Sequence, residues 1–138
     1  MRLRNLVALV AMLAVIWVAW RSWPRTETEP VSGPPLVNVT VPELDGLALG
    51  GEAAFNENCA VCHGQNAAGQ QGVAPPLVHK IYEPGHHGDE AFVRAAQQGV
   101  RAHHWPFGNM PPVRGITDTE IDGIIAYIRT LQRANGIR

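Results

Sequence analysis

The chain has 138 residues, with 11 Lys and Arg against 12 Asp and Glu and a formal net charge of −1, and no run of basic residues points to a nucleic-acid partner. Its only cysteines are Cys59 and Cys62, too few for a zinc site built from thiolates. A chain this short holds one small domain with a limited core.

Arg2 and Arg4 precede an uncharged run from Leu6 to Trp20. At 1.5 Å per residue the run is about 22 Å long, short of a hydrocarbon core of roughly 30 Å, and taken alone it resembles the core of a signal peptide. Trp17, Trp20 and Trp23 cluster with Arg21 at its far end, as where a span meets lipid headgroups, and Asn5 to Trp23 would reach about 28 Å. No small-x-small cleavage site follows. Residues 1–23 are therefore expected to form an uncleaved transmembrane anchor, with a removed signal peptide as the alternative. Arg2 and Arg4 keep the N-terminus cytoplasmic and send the remainder across the membrane.

Residues 24–43 read as a Pro-rich tether, because Pro24, Pro30, Pro34, Pro35 and Pro42 interrupt helix and favour extended backbone. Stretched out, Pro24 to Pro42 would reach roughly 60 Å. Leu36, Val37, Val39 and Val41 offer a second reading, a short β-like arm along the domain that shortens the reach.

Cys59, Ala60, Val61, Cys62 and His63 form a C-x-x-C-H stretch. Thiols at this spacing can each add to one vinyl group of a haem, and the histidine that follows then lies beneath the iron, so the stretch reads as a c-type haem attachment site. A thioredoxin-like pair would want a neighbouring βαβ pattern, which is missing. A structural disulfide across the short loop stays open.

Three helices are expected in the domain. One runs from Asp45 to Asn58 into the haem motif, with Leu47, Gly51, Phe55 and Cys59 recurring every four residues. A shorter one spans Asp89 to Gln98, ends at Gly99 and buries Phe92, Val93 and Ala96. In the last, Thr117 and Glu120 make a capping box, Ile121, Ile124, Ile125, Ile128 and Leu131 form an apolar stripe, and Gly136 closes the end.

The series Gly51, Phe55, Cys59, Cys62 and His63 resembles class I cytochromes c, as do Pro75-Pro76-Leu77, the Met110-Pro111 step and the I-I-A-Y-I helix around Tyr127. The likeness runs from about Leu44 to Ala134. It implies an all-α fold over residues 44–138, three main helices around one covalently bound haem c, and a crossing of the first and last helices with Gly51 against Tyr127, Ile124 or Ile128. It also implies that His63 binds iron through Nε2 while the Pro75 carbonyl holds its Nδ1 proton. Met110, the only methionine beyond the N-terminal segment, would be the second axial ligand. Its soft thioether would raise the reduction potential.

Five histidines lie outside the motif: His79, the doublet His86 and His87, and the doublet His103 and His104. They read chiefly as surface residues or hydrogen-bond donors to haem propionates. Two further readings are a site for copper or another imidazole-preferring metal, and replacement of Met110 by His103 or His104 as axial ligand. Adjacent residues point apart, so each doublet is expected to offer one ligand at most. Trp105 and Phe107 read as haem-wall residues, with the Trp105 indole N–H able to meet a propionate.

With both axial positions filled, the iron would have no vacancy for a substrate. The expected function is one-electron transfer between respiratory protein partners by an electron carrier that is not an enzyme and has no small-molecule substrate. By the resemblance, the haem domain would face the periplasm from a single-pass anchor in a bacterial cell membrane. Two alternatives are a haem subunit of a membrane dehydrogenase or oxidase, and a haem or copper sensor.

Overall fold

The computed structural model describes residues 12–18 and 33–138. Residues 12–18 are helical and exposed, and no helix among the described residues is long and apolar enough to cross a membrane. The rest of the expected anchor, and residues 24–32 of the expected tether, lie outside the described residues.

Residues 33–138 fold as helices: α1 (Gly46–Asn58), α2 (Ala60–His63), α3 (Asp89–Gln98) and α4 (Asp118–Ala134), with short 3-10 turns at Gln65–Ala67 and Lys80–Tyr82. Among the described residues there is no strand, only isolated antiparallel bridges between Gln70 and Ala74 and between Val100 and Met110.

α1 and α4 form the main packed pair. The buried positions of α1 are Ala48, Gly51 and Phe55, whereas Leu47, expected on the inner face, is 56% exposed. The reason is helical phase. At 100° per residue a strict every-four row drifts, leaving Leu47 about 80° from Phe55, while Ala48 is only about 20° away. Gly51 approaches Gly123, where an added Cβ would overlap the Gly123 carbonyl oxygen. This corrects the expected partners Tyr127, Ile124 and Ile128. The aromatic meeting occurs one turn on, where Phe55 and Tyr127, both fully buried, tilt against each other at 5.5 Å between centroids. They join Leu77, Val78, Ile124, Ile128 and Leu131 in one core, and full burial of a side chain like Phe55 contributes roughly 1.5–3 kcal/mol.

α4 is laid down by its ends and its stripe. Thr117 and Glu120 form the reciprocal capping box, and Ile121, Ile124, Ile125, Ile128 and Leu131 are all buried. Beyond Asn135, Gly136 takes a left-handed φ of 78°, its N–H bonding to the Arg133 carbonyl while that of Ile137 reaches Gln132. That pair of bonds is a Schellman closure, and Ile137 packs back on the core. α3 sits less deeply: Phe92, Val93 and Ala96 are half-buried, not buried. Phe92 and Ala96 stand on the wall of a cavity, so one side of the helix has no protein packed on it.

Of the two readings of residues 33–43, the arm describes what is seen. The Leu36 and Val37 amides both donate to the Ala68 carbonyl, and the Gln71 amide donates to that of Pro34. The Asn135 side chain brackets Thr40, accepting from its N–H and donating to its carbonyl, each at 2.9 Å. Val39 and Leu44 rest on the core. Pro34, Pro35 and Pro42 have no N–H to give, so the arm bonds at intervals without forming a strand. The packed unit reaches back to Gly33, ahead of the expected start at Leu44.

Candidate functional site

α1 does not run straight into the cysteine motif. Its helical bonding carries the Cys59 amide to the Phe55 carbonyl at 2.8 Å, but Cys59 turns out of helical conformation (φ −122°, ψ −32°) and α2 restarts as a single turn. This break presents Cys59, Cys62 and His63 to one cavity of about 610 Å³. Gln70, buried and overlooked by the sequence reading, secures the turn from behind, its side-chain amide donating to the carbonyls of Ala60 and Val61.

His63 is 8% exposed, and its Nδ1 lies 2.8 Å from the Pro75 carbonyl oxygen. A carbonyl only accepts, so Nδ1 carries the proton and Nε2 keeps a free lone pair. Burial pushes the His63 pKa down, with the Pro75 carbonyl working partly against it, and the ring is held neutral for use as a ligand. Burial, aided by the neighbouring Cys62, pushes the Cys59 thiol up to about 11. That is opposite to the low-pKa thiolate a thioredoxin-like pair needs. Cys59 and Cys62 are not joined to each other.

Met110 lies on the wall of the same cavity, in the loop between α3 and α4. Its backbone is fixed by reciprocal bonds to Val100, each 2.9 Å long, and the side of the loop is closed by the Ala102 amide on the Asn109 side chain. The structure thus brings Cys59, Cys62, His63 and Met110 to one space. Much of the remaining wall is apolar: Leu77, Phe92, Ile121, Ile124 and Ile128 contribute. Trp105 and Phe107 stack on it with centroids 5.9 Å apart.

A family model, Cytochrome c, matches residues 48–132. The chain belongs to the cytochrome c family. No match was found among curated proteins. Membership implies haem-based electron transfer with haem c as the cofactor, and it suggests a carrier rather than an enzyme.

The cytochrome's cavity suits that group on its own terms. It pairs apolar walls with two thiols at one side and a neutral imidazole whose lone pair is free. It also holds one unanswered donor: the Trp105 Nε1 is buried without a hydrogen-bond acceptor. The Tyr82 phenol is pushed up by burial, and Trp105 partly offsets this without reaching hydrogen-bond geometry. A buried N–H left unpaired costs about 1–3 kcal/mol, and a carboxylate edge of the cofactor would satisfy it.

The histidines divide. His79 accepts the Ile81 amide through Nδ1 and sets its ring edge-on to Trp105. His87, His103 and His104 also stand on the cavity wall, but their polar contacts lie elsewhere: His87 Nδ1 with the Ile81 carbonyl, His103 Nδ1 with that of Arg101, and His104 Nε2 with His86 Nε2. The expectation that a doublet offers one ligand at most is not met, for His86, His87 and His104 place ring nitrogens within 4.8 Å of one another.

Sequence reasoning also missed Arg129 and Gln132, both buried on α4. Arg129 donates to the carbonyls of Tyr82 and His87, to the Gln132 side chain and to Asp89, and its guanidinium lies over the Phe92 ring. Gln132 donates to the carbonyls of Leu77 and Tyr82. Together they fasten the 77–89 segment, which forms one side of the cavity, to α4. The available signal was a cation flanked by Ile128 and Leu131 in an apolar stripe, a position that demands internal partners.

Proposed function

We propose that this cytochrome carries one electron at a time between protein partners, using a single haem c joined through thioether bonds to Cys59 and Cys62. The observation that carries the reading is the convergence of Cys59, Cys62, Met110 and His63, whose Nδ1 is committed to the Pro75 carbonyl, on one largely apolar cavity. His63 and Met110 would be the axial ligands, and the bound group supplies reversible one-electron chemistry at iron.

The chain's own residues do the rest. The Pro75 carbonyl fixes the tautomer and direction of His63 and raises its basicity. The Val100 bridge fixes the backbone of Met110, and a soft thioether at that position favours the reduced state. Leu77, Phe92, Ile124 and Ile128 would keep water from the bound group, and ligation by both His63 and Met110 would leave it no position for a substrate.

We also propose that the domain works on the periplasmic side of a bacterial cell membrane, held by residues 1–23. The basis is the Arg2 and Arg4 charge ahead of the apolar run and the tryptophan cluster after it. With the chain packed from Gly33 onward, the length available to a leash is at most residues 24–32, about 28 Å fully extended. So short a reach favours partners in or close to the same membrane.

The test is an absorption spectrum of the full chain, made with haem-maturation machinery and extracted from membranes. Covalently retained haem, a low-spin ferrous spectrum and the weak far-red ferric band of sulfur-to-iron ligation are expected. Retained haem without that band would remove Met110 as ligand, and the absence of covalent haem would overturn the proposal.

A further inference from the structure

We infer that His86, His87 and His104 form a binding site for one divalent transition-metal ion of the zinc or copper class at the mouth of the haem cavity. The site does not depend on the haem ligation proposed above.

The spacing is the first argument. His86 Nε2 and His104 Nε2 lie 3.4 Å apart, and two nitrogens bound tetrahedrally at 2.0–2.1 Å from one zinc are about 3.3 Å apart. The three ligand nitrogens fall within 4.8 Å of one another. Because His86 and His104 are exposed, a small rotation of either ring closes that distance without disturbing packing. The donor set contains imidazoles and no carboxylate, which suits zinc, copper or nickel and disfavours calcium and magnesium.

The second argument is preparation of the ligands. His87 commits Nδ1 to the Ile81 carbonyl at 2.6 Å, leaving the Nε2 lone pair for a metal, the arrangement in which metal-binding histidines are usually held.

The third is the scaffold. The Glu83 carbonyl accepts the amides of both His86 and His87, at 3.0 and 2.8 Å, a tight turn that points two adjacent rings to the same side. Arg129 holds the carbonyl of His87 from within the fold. Opposite, the Ala102–Asn109 bond closes the loop that carries His104. Three protein ligands leave a fourth position for water. With His103 and His104 ring centroids 4.3 Å apart, the nearby fourth histidine has its own Nδ1 tied to Arg101.

The test uses haem-loaded full chain without a polyhistidine tag, washed with chelator and titrated with Zn²⁺ by calorimetry. One zinc per chain is expected. His86→Ala alone, at a residue off the cavity wall, should weaken binding with its haem spectrum unchanged, and the His86→Ala/His104→Ala double variant should lose at least about tenfold in affinity. Should that variant fail to fold, the single His86→Gln variant at an exposed position makes the same comparison. Absence of zinc binding to the unaltered protein, or undiminished binding to a folded variant, would overturn the assignment.

Discussion

Gly51 and Gly123 pack backbone to backbone, and the contact is not symmetric. A Cβ on Gly51 would overlap the Gly123 carbonyl, whereas a Cβ on Gly123 would meet the Gly51 Cα at 3.2 Å. The first cannot be relieved without separating α1 from α4, while the second asks for a shift of a few tenths of an ångström. Gly51→Ala should therefore destabilise by about 3 kcal/mol or more and lower holoprotein yield. Gly123→Ala should fall within about 1 kcal/mol of the original, because alanine's helix propensity offsets the crowding. Urea denaturation of the two variants measures the difference, and equal losses would count against this crossing.

Arg129 is 7% exposed, whereas its acidic partner Asp89 has a side chain 65% exposed. The ion pair is thus screened, and the larger share of Arg129's contribution comes from the two carbonyls and the Gln132 amide it satisfies. Arg129→Ala should cost about 3–4 kcal/mol by orphaning the His87 carbonyl and the Gln132 side-chain oxygen, while the Tyr82 carbonyl keeps its bond from Gln132, but Asp89→Asn under about 1 kcal/mol. Denaturation of both variants checks the ranking. A comparable loss from Asp89→Asn would return the weight to the ion pair.

The capping box gives a pH dependence with a definite sign. The Glu120 carboxylate accepts from the Thr117 amide at 2.8 Å and from its hydroxyl at 2.7 Å, and these bonds hold its pKa below the ordinary 4.5. A depressed folded pKa means that the contribution is complete above the unfolded value and is lost as pH falls through the folded one. The advantage in Tm of the unaltered protein over Glu120→Gln should be complete at about pH 6 and shrink as pH falls below the ordinary carboxylate range. A gap independent of pH would show that the carboxylate's charge contributes nothing.

Met110 is attached to the fold through its backbone bridge to Val100, which a change of side chain leaves intact. Met110→Leu should accordingly retain covalent haem and fold, while losing the far-red ferric band and gaining rapid carbon monoxide binding in the ferrous state. His103 and His104 supply the contrary case. If the band persists in Met110→Leu, or a bis-histidine spectrum is already present in the unaltered protein, the sixth ligand comes from that loop.

What could be read from sequence was local. The C-x-x-C-H stretch and the Thr117–Glu120 box are complete within a few residues, and the isoleucine stripe of α4 needs only the helical period. Long-range features stayed hidden. Gly123 carries no mark that makes it the partner of Gly51, and the every-four row through Leu47 fails because the helix turns 3.6 residues at a time. The histidine doublet was misjudged because adjacency was taken to mean divergence, when the Glu83 carbonyl gathers both amides into one turn. Arg129 stood in plain view inside an apolar stripe, but the carbonyls it serves are 42 and 47 residues away in the chain.

The arm over residues 33–43 was legible as a possibility, and Asn135 decides it. Its side chain bonds both the N–H and the carbonyl of Thr40 and also donates to the Leu131 carbonyl at the end of α4. One residue therefore closes the last helix and fastens the arm to it. Asn135→Ala removes all three bonds at a partly exposed place, so the loss of global stability should be only about 1 kcal/mol. The local effect should be larger, because the remaining attachments of the arm lie upstream, where Pro34, Leu36 and Val37 meet Gln71 and Ala68. Limited proteolysis of the haem-loaded chain should cut around Val39 to Val41 faster in the variant, with the haem spectrum unchanged. An unchanged cleavage rate would mean that the packing of Val39 and Leu44 holds the arm without Asn135, and the shortened reach of the tether would then rest on those apolar contacts.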